Sequence, residues 1–133
     1  MAEPLLPAPV LLVVAAFSRH PEALAWARGQ LERDFGPVAV AGPAFVFDQT
    51  SYYQSTMGPD LRKQLLAFRD LVDPGVLADI KRHTNDLERT LAESGGYPEE
   101  RPLNLDPGVL ALGKFLLATT KDQAHRVYLR DGI

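Results

Sequence analysis

Cysteine is absent from the 133 residues. This removes disulfides, thiolate metal sites and cysteine nucleophiles together, and it lends no support to an oxidising compartment. Histidine is scarce: His20, His83 and His125 lie too far apart to make a metal-ligand spacing. No metal is expected, and no cofactor is identified. There is no basic excess either, since 14 Lys and Arg stand against 17 Asp and Glu for a net charge of -3. Such a chain has no global field for collecting nucleic acid or anionic lipid, so any anion site must be local. No apolar run approaches the ~20 residues of a membrane-spanning helix. The apolar start, Met1 to Phe17, carries acidic Glu3 in place of a basic segment and is interrupted by Pro4, Pro7 and Pro9, which argues against a secretion signal. A cytoplasmic protein with no membrane or nucleic-acid partner is expected.

What is present is an ordinary globular balance, 46% apolar and 23% charged, in a chain of the length of one domain, residues 1–133. Val10 to Phe17, valine-rich and bounded by turn formers, reads as a buried central strand. Pro21 opens a helix whose apolar residues Leu24, Ala27, Leu31 and Phe35 recur at spacings of three and four, and Gly36-Pro37 ends it. Val38 to Phe47 reads as a strand broken at Gly42-Pro43, and Gln49 to Asp60 as a polar, aromatic loop. Lys63 to Val72 is assigned as a strand. Asp73 caps a helix starting at Pro74, with Leu77, Ile80, Thr84, Leu87 and Leu91 on one face. After Ser94-Gly95-Gly96 comes a short extended segment, Leu103 to Leu105. Asp106-Pro107 is then expected to start a third helix, Val109 to about Thr120, followed by a strand from His125 to Arg130 and a hairpin-type Asp131-Gly132 turn. A mixed or antiparallel α+β sheet with helices mainly on one face, broadly ferredoxin-like, follows from this order.

Two local patterns invite a nucleotide reading. Gly108 to Lys114 meets the first seven positions of the phosphate-cradling G-x-x-x-x-G-K motif, but the eighth is Phe115, which has no hydroxyl for magnesium, and Val-Leu-Ala-Leu looks like helix core. Thr120-Lys121-Asp122 lacks one residue of a guanine-reading element. The hexapeptide Asp-Pro-Gly-Val-Leu-Ala occurs at both Asp73–Ala78 and Asp106–Ala111. Its flanks differ, so it reads as reuse of a helix-starting pair rather than as a repeat.

The clearest candidate for chemistry is the basic C-terminal stretch. Arg126 can grip a phosphate or carboxylate with its planar fork, while Lys121 adds charge and His125 a group that exchanges protons near neutral pH. An ordinary solvated edge strand explains the same residues. Asp48 and Tyr53, on the aromatic loop, are candidates to orient a ligand, or serve a turn and the core. His83, Thr84, Asn85 and Glu88 share a stretch of helix that could face the patch.

The segments Phe47–Tyr53, Met57-Gly58, Thr84–Glu88, Asn104–Gly108 and Thr120–Leu129, in that order, resemble a bacterial family, domain of unknown function family 4416. The resemblance runs from about Val10 to the end. It implies a longer protein with a further strand after the Asp-Gly turn, so a C-terminal strand is expected to be missing here. Some relatives are labelled GTP-binding protein, and the resemblance carries no catalytic residues. The leading expectation is a domain binding an anionic metabolite or nucleotide through Lys121, His125 and Arg126, with Asp48 or Tyr53 orienting it. The alternatives are an interaction or self-association module working through an exposed edge strand, and a hydrolase using Asp48, His83 or His125.

Overall fold

Leu11–Ser18 forms the central strand β1 of an antiparallel sheet in the computed structural model, which describes residues 1–133. Its valine-rich run is covered on both faces at its C-terminal end, as expected of a strand with neighbours on both sides. Helix α1, Pro21–Phe35, follows. Its buried residues Ala23, Leu24, Ala27 and Leu31 face the sheet. Gly36 ends it at φ 88, a left-handed conformation, and any Cβ there would lie 2.2 Å from the Asp70 carboxylate.

Strands β2, Val38–Ala41, and β3, Phe45–Val46, form one edge broken at Gly42-Pro43, and both pair with β4, Arg62–Phe68. Between β3 and β4 lies a loop containing one helical turn, α2, Gln54–Met57. After β4 the Asp73 carboxylate accepts from the Gly75 N–H at 2.7 Å, a 3₁₀ turn spans Pro74–Val76, and α3 runs over Leu77–Glu93 with the expected stripe buried. Strand β5, Asn104–Ala111, returns beside β1, and β6, Lys114–Leu117, closes a hairpin with it. The order is β2-β4-β1-β5-β6, a ferredoxin-like βαββαβ layout extended by β6. No helix is long and apolar enough to cross a membrane.

Both long helices lie on one face. Leu12, Val14 and Ala16 of β1, Leu66 and Phe68 of β4 and Leu103 and Leu105 meet Leu24 and Leu31 of α1 and Ile80, Leu87 and Leu91 of α3 in the main core. Only one end of the other face is covered: Phe17 packs with Met57 and Leu61, its ring 4.9 Å from Tyr53 and 5.1 Å from Phe47. Leu65, Leu110 and Phe115, elsewhere on the sheet, stay about half exposed.

Two expectations are overturned. The segment from Val109 to Thr120 is not a helix but the end of β5, the Leu112-Gly113 turn and β6. The open side of β1 needs a ladder partner, and the seven-residue register from Leu11–Leu110 to Phe17–Asn104 supplies one. Pro107 is tolerated within it because its carbonyl accepts from Ala118 N–H, so its nitrogen faces the point where β6 ends. The stretch His125 to Arg130 is not a strand. It crosses the surface as irregular chain, so the exposed edges are β6 and the broken β2–β3. The Asp131-Gly132 turn does form, with φ 55 and 85 and Ile133 N–H donating to Arg130 O at 3.0 Å.

Gly108 is where the incomplete G-x-x-x-x-G-K pattern begins. A Cβ there would sit 2.7 Å from Leu116 O and 2.9 Å from the Phe115 ring, whereas Gly113 has open space around it. Gly108→Ala is expected to destabilise by about 1–3 kcal/mol through overpacking, and Gly113→Ala to stay within about 0.5 kcal/mol. Urea unfolding of the two variants checks this; equal losses would show that the hairpin does not set the need for glycine.

Candidate functional site

Strand β6 is shorter than β5, and the site grows from that mismatch. The last hairpin pairing is Ala118 N–H to Pro107 O at 2.9 Å. Beyond it the Leu105 amide and carbonyl face outward with no strand to meet them. Side chains of α3 meet them instead: the Glu88 carboxylate accepts from Leu105 N–H at 2.6 Å, and the Lys81 ammonium donates to Leu105 O at 2.9 Å. Lys81 also donates to Asp106 at 3.1 Å, Asn104 Nδ2 donates to Asp106 at 2.9 Å, and Arg101 donates to Asn104 Oδ1 at 2.6 Å. Arg101 Nη2 stands 3.9 Å from Glu88. Lys81 and Asn104 are about 5% exposed, so these bonds replace water that the groups have lost.

Burial pushes the Glu88 carboxyl above its usual range. The Leu105 N–H and the Lys81 and Arg101 charges oppose that only in part, and Asp106 adds to it. Glu88 is therefore a carboxyl that burial makes easier to protonate, at the wall of a cleft.

The cleft has a volume of about 1400 Å³. Its inner wall is the network just described, with Asn85 and Arg89 of α3. Its outer wall is the chain from Phe115 to Ile133, and Tyr52 and Tyr53 stand at one side. Lys121 Nζ lies 4.1 Å over the Tyr52 ring and 5.9 Å from Tyr53. Arg126 Nη1 donates to Lys121 O at 2.8 Å and Thr119 Oγ1 at 3.2 Å, which folds the outer wall. Arg130 clamps the wall to α3 with two bonds to Asp79 and holds that carboxyl below its usual range. Lys81, Arg89, Arg101, Lys121 and Arg126 outnumber Glu88, Asp106 and Asp122 along the lining, giving a locally positive cleft in an acidic chain.

Of the residues singled out in the sequence, Tyr53, Lys121, His125 and Arg126 line this cleft, and Asp48 does not. His83 faces the other way, against Asp34 at 2.7 Å and the Phe35 ring, so Asp48, His83 and His125 do not share the cleft. Asn85 and Glu88 do face the C-terminal patch. Lys81, Arg101 and Asp106 were missed. Lys81, Asn85 and Glu88 are spaced four and three apart, one strip of a helix, and that spacing was the available signal.

A second charged cluster lies at the C-terminal end of β1. His20 Nε2 is 2.7 Å and Arg19 Nη1 3.0 Å from the Glu99 carboxylate, and Ser18 Oγ donates to Pro102 O at 2.5 Å. Burial works to raise the Glu99 carboxyl, but the bonds from His20 and Arg19 outweigh it and hold it below the usual range. The cluster fastens the connection that delivers Arg101.

Glu88→Gln keeps an oxygen for Leu105 N–H and removes the titration. With its carboxyl raised, wild-type Glu88 binds protons more tightly folded than unfolded, so its contribution is full at acid pH and is lost as pH rises through the folded value. The Tm of the variant should match wild type near pH 4 and exceed it increasingly toward pH 8. A difference that does not change with pH would show that Glu88 does not titrate in this way.

The comparisons with known proteins bear on the whole chain. No curated protein and no solved structure matches it. A model of a domain of unknown function, DUF4416, matches residues 8–133. The segments that carried the resemblance in the sequence come together in the fold: Thr84–Glu88 meets Asn104–Gly108 through Glu88 and Leu105. Tyr52 and Tyr53 meet Thr120–Leu129 through Lys121. With nearly all of its length matched, the chain belongs to the DUF4416 family.

Proposed function

We propose that this domain is a cytoplasmic binder of a small anionic metabolite, with nucleotides the class that best fits the cleft. The observation that carries the reading is the meeting of aromatic faces and unneutralised cations along one concave wall. Tyr52 is exposed and offers aromatic surface beside the partly buried Tyr53, and the Lys121 ammonium has no carboxylate partner, resting on the Tyr52 ring. Arg126 keeps Nε–H and Nη2–H donors beyond those that fold the outer wall. His125 lines the same space. A ligand with a planar ring and a phosphate or carboxylate satisfies both kinds of group. The Gly108–Lys114 segment contributes strands and a turn rather than a phosphate loop, so a GTPase mechanism gains nothing from it.

Two-dimensional amide NMR with ATP, GTP and inorganic phosphate, each with and without magnesium, tests the reading. Saturable shifts at Tyr52, Tyr53 and Lys121 to Arg126 are expected for at least one nucleotide, and Lys121→Ala should weaken that binding by about tenfold or more. A flat response from folded protein would remove the proposal.

A second reading, self-association, is favoured by β6. Lys114, Leu116 and Ala118 direct their amides to β5, which leaves those of Phe115 and Leu117 facing outward. Phe115, Leu116 and Leu117 are each about half exposed, and the strand has no proline and one charge, Lys114. The opposite edge is broken at Gly42-Pro43. Sedimentation is expected to show a dimer in wild type and a monomer in Leu117→Lys. A wild-type monomer at high concentration would remove this reading.

A further inference from the structure

The inner end of the cleft contains an arginine whose binding edge is open. Arg101 is anchored from behind: its backbone N–H donates to Thr56 O at 2.9 Å, and its Nη2 to Asn104 Oδ1 at 2.6 Å. No protein acceptor takes its Nε–H or Nη1–H groups. An arginine that lines a cleft with two of its three side-chain nitrogens uncommitted is suited to a planar oxyanion. Beside it, Glu88 Oε1 is fixed by Leu105 N–H at 2.6 Å, and Oε2 stands 3.9 Å from the same guanidinium.

We infer that the inner cleft binds an oxyanion of the ligand, a carboxylate or phosphate, on the free donors of Arg101, and that Glu88 takes up a proton from solvent as it binds. This rests on the cleft being the ligand site. Two negative groups on one partly buried guanidinium repel each other, and protonation of the one that belongs to the protein relieves the repulsion. The other charged groups around Glu88 do not reverse the sign. Lys81 on α3 is already committed to Leu105 O and Asp106, and Asp106 on β5 adds negative charge. Arg89 is bonded to Asp86 at 2.7 Å, and the outer wall contributes Lys121, Asp122, His125 and Arg126. Burial, which raises the Glu88 carboxyl, acts in the same direction as the bound anion. The outer cations then hold the rest of the ligand, so one molecule bridges both walls.

The test uses sulfate and trifluoroacetate, which keep their charge throughout the range, as stand-ins for a phosphate and a carboxylate. The Leu105 amide proton, bonded to Glu88, reports ionisation of that carboxyl, and the Arg101 Nε–H reports the anion. Between about pH 4 and pH 8, saturation by either probe is expected to move the Leu105 midpoint upward by about one unit, with affinity about tenfold tighter on the acid side. Sulfate alone acting assigns a phosphate-like group; trifluoroacetate alone assigns a carboxylate. In Glu88→Gln, binding at Arg101 should persist while the Leu105 amide no longer titrates, and in Arg101→Gln the inner binding should be lost. Should Arg101→Gln fail to fold, the wild-type Arg101 signal decides the same point. Shifts confined to Lys121–Arg126, or binding at Arg101 with a fixed Leu105 midpoint, would overturn this inference and leave the cleft reading standing. No shift anywhere in the cleft would overturn this inference, and a flat response to the nucleotides as well would overturn both.

Discussion

Leu105 has a backbone N–H and C=O that the sheet cannot satisfy, and the cleft architecture follows from how α3 satisfies them. β6 ends at Leu117, one residue before the last hairpin bond, and the chain then turns away. An unpaired N–H and C=O at that depth would cost about as much as a lost hydrogen bond each. Glu88 and Lys81, two turns apart on one side of α3, complete the ladder with a carboxylate and an ammonium. A side-chain pair is narrower than a strand, so the space a strand would fill remains as a cleft. Sealing the edge and opening the cleft are thus one event.

That solution has an electrostatic consequence. A strand would have brought neutral amides, whereas the helix brings charges into a place where water is scarce. Lys81 is compensated by Asp106 and Leu105 O, and Arg101 by Asn104, but Glu88 keeps a raised carboxyl because desolvation outweighs its partners. The least comfortable group in the network is therefore also the one beside open space. The Arg19, His20 and Glu99 cluster supports it from a distance by fixing the connection that carries Arg101.

Much of the fold was legible. The valine run of β1, the Pro21 start of α1, the break at Gly42-Pro43 and the stripe of α3 were each specified by local chemistry that the tertiary structure did not oppose. The site was half legible. Lys121, His125 and Arg126 stood out because basic residues cluster there in an acidic chain, and Tyr53 because it follows an aromatic strand. Asp48 had the same kind of local argument and lies outside the cleft. Arg101 sat unnoticed in a polar connection, since its role comes from Asn104 and Glu88, residues on β5 and α3 that only the fold places beside it.

The two copies of Asp-Pro-Gly-Val-Leu-Ala show where the boundary lies. At Asp73 the free carboxylate bonds Gly75 N–H and the chain enters a helical turn, as its residues favour. At Asp106 the carboxylate is taken by Lys81 and Asn104, the open side of β1 offers seven residues of ladder, and the same six residues are strand. By itself the sequence determined the α+β class, the first four long elements and the basic character of the C-terminal stretch. Those follow from periodicity, capping and charge, which act over a few neighbouring residues. Only the tertiary structure decided the conformation of the second hexapeptide, the fate of the C-terminal stretch and the cleft between them. Each depended on backbone groups far away in sequence that needed partners, and a local propensity of a few tenths of a kcal/mol per residue yields to that demand.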